Sequence, residues 1–146
     1  MKGHDFLLSS IEGETGEGGR LEFVKRVLSS SLFKIKEFPA VIVEEDQYDY
    51  GQLSGGGEII MYQEPYNLAV IIKSENMNEF TDMKRRELKG ILDGYVEGVL
   101  NVILDAANTA DGIGEVRFGK SESYDLKIGT SPAINVIVPV TVSVLK

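Results

Sequence analysis

The segment from Ala133 to Leu145 constrains the fold most, because its side chains alternate with a period of two. Ile134, Val136, Val138, Val140, Val142 and Val144 point one way, against Asn135, Ile137, Pro139, Thr141 and Ser143 on the other side. Successive side chains of a strand point to opposite faces of a sheet, so this pattern predicts a strand with a one-sided core. A helical period of 3.6 would scatter the same valines around the axis. Pro139 has no N–H to donate to a ladder, which predicts a free edge near the middle of the strand, or a bulge.

A one-sided sheet needs a cover, and the stretch from Asn76 to Asn108 supplies one. At 100° per residue, Leu88, Ile91, Leu92, Tyr95, Val96, Val99, Val102, Ile103 and Ala106 fill one broad arc. Asp93, Glu97, Asn101 and Asp105 form an opposite polar stripe. Asn76 and Glu79 have the spacing of a capping box, the acids Glu75, Glu79 and Asp82 suit the positive end of the helix dipole, and Gly112 and Gly114 end the helix. Between the two faces lie Gly90, Gly94 and Gly98, again four apart. A glycine at an exposed helix position costs about 1 kcal/mol relative to alanine. Three of them come to roughly 3 kcal/mol, against a net domain stability of ~5–15 kcal/mol. Either the apolar arc holds the helix and the glycines are tolerated, or a neighbouring subunit packs against a strip of bare backbone.

The rest of the chain is punctuated more finely. Phe6, Leu7, Leu8 and Ile11 form a short apolar patch before Glu12–Gly19, a run of glycines and glutamates that reads as a linker. Residues 1–20 are therefore expected to be a flexible arm and linker, and 21–146 a single domain. Leu21, Val24, Leu28 and Leu32 recur at helical spacing and predict a short helix within 21–36, ending before Phe38-Pro39. Ala40-Val41-Ile42-Val43 predicts a strand that runs into Glu44, Glu45 and Asp46. A loop with Gly51 and Gly55–Gly57 follows, then strand regions at 58–62, 66–73, 114–119 and 124–128. The expected fold is α+β: one mixed or antiparallel sheet of about four to six strands, covered on one face by the long helix and the shorter amino-terminal one.

Composition narrows function by exclusion. The chain has 146 residues, enough for one core, and a formal charge of −8 from 23 acidic and 15 basic residues. That charge repels nucleic acid and anionic membranes alike. The absence of cysteine removes disulfides, thiol nucleophiles and thiolate metal sites, and fits a reducing, cytoplasmic setting. The amino terminus lacks the apolar run of a signal peptide, and the longest apolar stretch, Ile134–Val144, is too short to span a bilayer as a helix.

No residue constellation identifies a chemistry. The glycines at 13, 16, 18 and 19 lack the Lys-Ser/Thr pair of a phosphate loop and stand among glutamates. His4 is the single histidine, without the partners that a metal site or general base needs. Glu44, Glu45, Asp46 and Asp49 do not have the spacing of a calcium loop and read as a solvated strand end. No catalytic residue, cofactor or metal is expected. The candidate interaction residues are Gly90, Gly94 and Gly98 with Asp93 and Glu97 beside them, and Tyr48 and Tyr50 in the acidic loop. Lys84, Arg85 and Arg86 complete the set, a basic cluster that suits either a solvated helix face or an acidic neighbour.

A short amino-terminal helix, a strand opening with Phe38-Pro39-Ala40-Val41-Ile42-Val43, a second strand, a long helix and a final hairpin make up the layout. It resembles that of the small tail-completion or tail-terminator proteins of long-tailed bacteriophages and prophages, and of related minor tail components. The resemblance covers residues 21–145 and implies a non-enzymatic structural protein that forms a ring, often a hexamer, at the tail end or head-tail junction. It implies further that partners are other copies and other tail or connector proteins, that long loops face the lumen or a neighbour, and that the location is the cytoplasm during assembly and then the virion. The alternative, from the residues alone, is a small intracellular ligand- or partner-binding module using the 46–66 loop region.

Overall fold

The alternating carboxyl-terminal segment is strand β7 (Ser131–Leu145), and it lies at the centre of a mixed sheet. The computed structural model describes residues 2–29, 37–46, 51–55, 58–74 and 82–145. In chain order the described elements are α1 (Lys2–Glu12), β1 (Arg26–Leu28), β2 (Ala40–Glu45), β3 (Gly51–Gly55), β4 (Glu58–Lys73), α2 (Asp82–Ala107), β5 (Ile113–Phe118), β6 (Glu122–Ile128) and β7. The fold is α+β, and the sheet has seven strands among the described residues. Two strands are added to the sequence reading and two of its strand regions merge: β1 lies in the segment read as a short helix, β3 in the segment read as a loop, and 58–62 and 66–73 are both part of β4.

The centre is a long antiparallel ladder between β4 and β7, running from Met61↔Leu145 to Lys73↔Ala133. Each outer edge of this pair is shared by two shorter strands. On β4, β3 pairs with residues 58–63 and β2 with residues 66–71. On β7, β6 pairs with residues 131–137, and β5 takes over from Val140. Pro65 and Pro139 stand at the two changeover points. The Pro65 carbonyl accepts the Asp46 N–H at 3.0 Å, and the Pro139 carbonyl accepts the Gly119 N–H at 2.8 Å. A proline is harmless where one neighbour has ended and the next has not begun, because the N–H it lacks would have no partner there. This is the interrupted edge expected for Pro139. The same device at Pro65 lets residues 58–73 form one strand where the sequence reads as two.

Side-chain parity divides the sheet into two faces. Val41 and Val43 of β2, Tyr66, Leu68, Val70 and Ile72 of β4, and the even-numbered residues of β7 from Ile134 to Val144 build the main core. Helix α2 closes it with Leu92, Val96, Val99, Val102 and Ile103. Thus most of the predicted arc faces the sheet, with Ile91 the exception at 46% exposure. Ile91 lies at the margin of the arc, beside the open glycine positions rather than over the sheet's core face. The predicted polar stripe, Asp93, Glu97, Asn101 and Asp105, is exposed.

The amino terminus departs from the expected arm. Residues 2–12 form helix α1, and Leu7 and Ile11 are fully buried in the main core beside α2. The following glycine-rich stretch is a series of turns that returns the chain so that Leu21 and Val24 also enter the core. Apolar spacing of 6, 7 and 11 was too short a run to announce this, since a helix of this length is held by tertiary burial rather than by propensity. Leu21–Leu28 likewise is not helical: β1 pairs in parallel with β2, and the Lys25 N–H donates to the Pro39 carbonyl at 2.9 Å.

Helix α1 is anchored at its start by a half-buried carboxylate. Glu64 Oε1 accepts the Gly3 N–H at 2.9 Å and the Tyr66 hydroxyl at 2.8 Å. A carboxylate suits this place, because the first N–H groups of a helix are unsatisfied and carry partial positive charge. A Cβ on Gly3 would lie 2.5 Å from Glu64 Oε1 and 2.9 Å from the Tyr66 hydroxyl. Gly3→Val is therefore expected to destabilise the fold by about 1–3 kcal/mol, the usual effect of overpacking. A denaturant melt checks it, and an unchanged midpoint would show that α1 shifts freely on the sheet.

Candidate interaction surfaces

The face of the sheet opposite the helices carries no covering layer among the described elements. At one end it is closed by a small second cluster, Ala40, Ile42, Ile71 and Ala133, with Leu28, Phe38, Leu126 and Ile128 packed around it. Beyond that cluster it opens into a groove of about 380 Å³. Ile42 and Glu44 of β2, Asn67 and Ala69 of β4, and Asn135, Ile137 and Pro139 of β7 line its floor and one wall. Lys120, Glu122 and Tyr124 line the opposite wall. The strand register explains the set: Ile42 pairs with Ala69, and Asn135 with Tyr124 and Ile71, so these side chains share the helix-free face.

Two features of the groove go beyond shape. Asn135 is only 5% exposed, and its Oδ1 has no hydrogen-bond partner. A buried acceptor left unsatisfied costs about 1–3 kcal/mol, so a group that supplies a donor there gains accordingly. On the rim, the Tyr124 hydroxyl donates to the Glu122 carboxylate, and this bond raises the phenol above its ordinary pKa. Glu44 and Glu122 thus set two carboxylates against the single ammonium of Lys120, around an apolar floor.

The second surface is the outer side of α2. Gly90 and Gly94 are exposed, and a Cβ at either position meets nothing within 4 Å. Gly98 differs, because its Cβ position lies 3.6 Å from Leu21 and 3.9 Å from Phe23, whose ring stacks on Tyr95 with centroids 3.9 Å apart. The glycine strip is therefore half covered from within the chain and half open. Glu97 is exposed, and Asp93 pairs with Lys89 one turn earlier.

The basic cluster is largely neutralised internally. Lys84 pairs with Glu87 at 3.8 Å, and Arg85 reaches Asp125 of β6 at 3.0 Å. Both pairs are well exposed, where such contacts contribute ~0–1 kcal/mol each. Arg86 is exposed and makes no ion pair among the described residues. Tyr48 and Tyr50 lie outside the described residues, as do the 75–81 segment with its capping-box pair and residues 56–57 of the loop. Among the described residues no group of His, Asp or Glu is arranged to hold a metal ion, and no helix is long and apolar enough to cross a membrane.

The groove was not singled out from sequence. Its signal was present in Asn135 and Ile137, which stand on the polar side of an alternating strand, but only the sheet order brings Glu44 and Glu122 to its rim. No protein-family model and no curated protein sequence matches the chain. Among solved structures, one described as "Virion of native gene transfer agent (GTA) particle" is similar over 94% of this chain and 91% of that chain, with 8% sequence identity and a TM-score of 0.48.

Proposed function

We propose that the chain is a non-enzymatic structural subunit of a phage or prophage tail, and that it assembles with copies of itself into a ring at the tail end or head-tail junction. The observation that supports this best is the presence of two unlike surfaces on opposite sides of one sheet. One is the helix-free groove with its orphaned acceptor, and the other the bare backbone of α2 at Gly90 and Gly94. A contact between two different patches is heterologous, and heterologous contacts close into rings when the rotation permits. The long helix between β4 and the terminal strands is one part of the layout behind the resemblance to tail-completion proteins and is present in the fold, whereas turns and β1 stand over 21–28 in place of the short helix expected there.

Size-exclusion chromatography with light scattering tests the reading. A closed oligomer, six copies in the form that the resemblance implies, is the expected result. Gly94→Leu is expected to raise the stability of the isolated subunit by up to about 1 kcal/mol, since it removes an exposed helix glycine with open space around it. The same change should break the assembly, and an unaltered oligomer would mean that α2 is not at the contact. The groove also has the volume of a small-ligand site, for which ~300–1,000 Å³ is usual. A strict monomer at every concentration overturns the ring and favours the alternative of a small ligand- or partner-binding module using the 46–66 loop region.

A further inference from the structure

We propose that the groove on the helix-free face receives Arg86 of a neighbouring copy, so that the basic start of one α2 docks on the sheet of the next subunit. This identifies the contact within the assembly reading above and rests on it.

The groove specifies the chemistry of its occupant. Asn135 Oδ1 is a buried acceptor that lacks a donor. Glu44 and Glu122 add carboxylates at the rim, and the floor between them is formed by Ile42, Ala69 and Ile137. A side chain that fits must bring several donors, a positive charge and an apolar stem. Arginine has all three: five N–H donors in a rigid fork, a permanent charge, and methylenes that lie along apolar surface while the head reaches polar partners. A neutral or acidic occupant would leave two rim carboxylates, Glu44 and Glu122, against the single ammonium of Lys120.

Charge complementarity then narrows the source to Arg26 and Arg86, the exposed arginines without an ion pair among the described residues, and of these Arg86 stands beside the open glycine positions of α2. Of the basic residues at the start of α2, Lys84, Arg85 and Lys89 each hold a carboxylate of their own chain, whereas Arg86 is exposed and makes no ion pair among the described residues. Helix α2 packs on the main core side of the sheet, so Arg86 cannot enter the groove of its own chain. Gly90 and Gly94 follow Arg86 at one and two turns with open space above them, and Ile91 beside them is exposed. The strip thus lets the rim of a neighbouring groove come close to the helix backbone once Arg86 is seated. Because donor and acceptor surfaces differ, each subunit uses both, and the contact propagates in one direction until it closes.

The test uses the full chain and measures mass by light scattering over a range of concentrations. Arg86→Glu is expected to weaken assembly by at least about tenfold in dissociation constant, since it sets like charges against each other at the contact. Combining Arg86→Glu with Glu44→Arg should recover most of that loss, a rescue that a merely structural role for either residue would not produce. Asn135→Leu should weaken assembly while the melting temperature of the dilute monomer holds or rises, because it removes the buried acceptor without leaving a cavity. If the wild type assembles and Arg86→Glu and Asn135→Leu both leave the oligomer unchanged, the groove contact is wrong and the assembly reading stands. A wild type that is monomeric throughout removes the assembly reading itself, and this contact with it.

Discussion

Val138→Asp is expected to abolish folding, whereas Pro139→Asp, one residue further along the same strand, is expected to leave the melting temperature within about 2 °C. Val138 is 1% exposed and lies opposite Leu68 in the main core, so an aspartate there must lose its hydration with no cation to compensate. The effective penalty for a buried, unpaired ion is several kcal/mol, comparable with the ~5–15 kcal/mol that holds a domain of this kind together. Pro139 is exposed on the other face at the changeover between β6 and β5, and its ring serves no ladder bond. Circular dichroism melts at a concentration where both variants are monomeric separate the two outcomes. Equal effects at 138 and 139 would mean that the faces of β7 are wrongly assigned.

Removal of residues 1–12 has the next largest expected effect. Leu7 and Ile11 are both fully buried among α2 and the sheet. Burial of each side chain contributes about 1.5–3 kcal/mol, so the pair is worth roughly 3–6 kcal/mol before the surface uncovered beneath them is considered. The truncation also takes the Gly3 N–H from Glu64, whose carboxylate then keeps only the Tyr66 hydroxyl of its two bonds. A large fall in the urea midpoint is expected, together with exposure of apolar surface to a hydrophobic dye. A truncated chain as stable as the full one would restore the flexible arm that the sequence alone implied.

How much was legible depended on the length of each periodic run. The β7 alternation extends over six inward residues, and the α2 arc over several turns, so β7 and the end of α2 were readable to within a few positions, while the start expected at Asn76 lies outside the described residues. Segment 21–28 misled because Leu21, Val24 and Leu28 carry a helical spacing by accident of burial. Leu21 and Val24 enter the core from turns, and Leu28 packs from β1 against the second cluster. Pro65 misled for the opposite reason, since a proline breaks a strand only where a neighbour asks for its N–H, and β3 and β2 leave that place vacant. The interaction residues divided similarly. Gly90 and Gly94 are exposed, as their angular position implied, and Arg86 is exposed too, while Gly98 lies against Leu21 and Phe23 of its own chain.

The sequence by itself determined an α+β chain with a long amphipathic helix and a strand whose two faces differ, because local periodicity reports which side of each element avoids water. Only the tertiary structure decided what lies on the far side of that strand. Asn135 and Ile137 read as the outward face of β7, yet they form the floor of a groove once β2 and β6 are placed on either side of the central pair. That placement depends on pairings between residues far apart in the chain, such as Ile42 with Ala69 and Tyr124 with Asn135, and no local pattern encodes them.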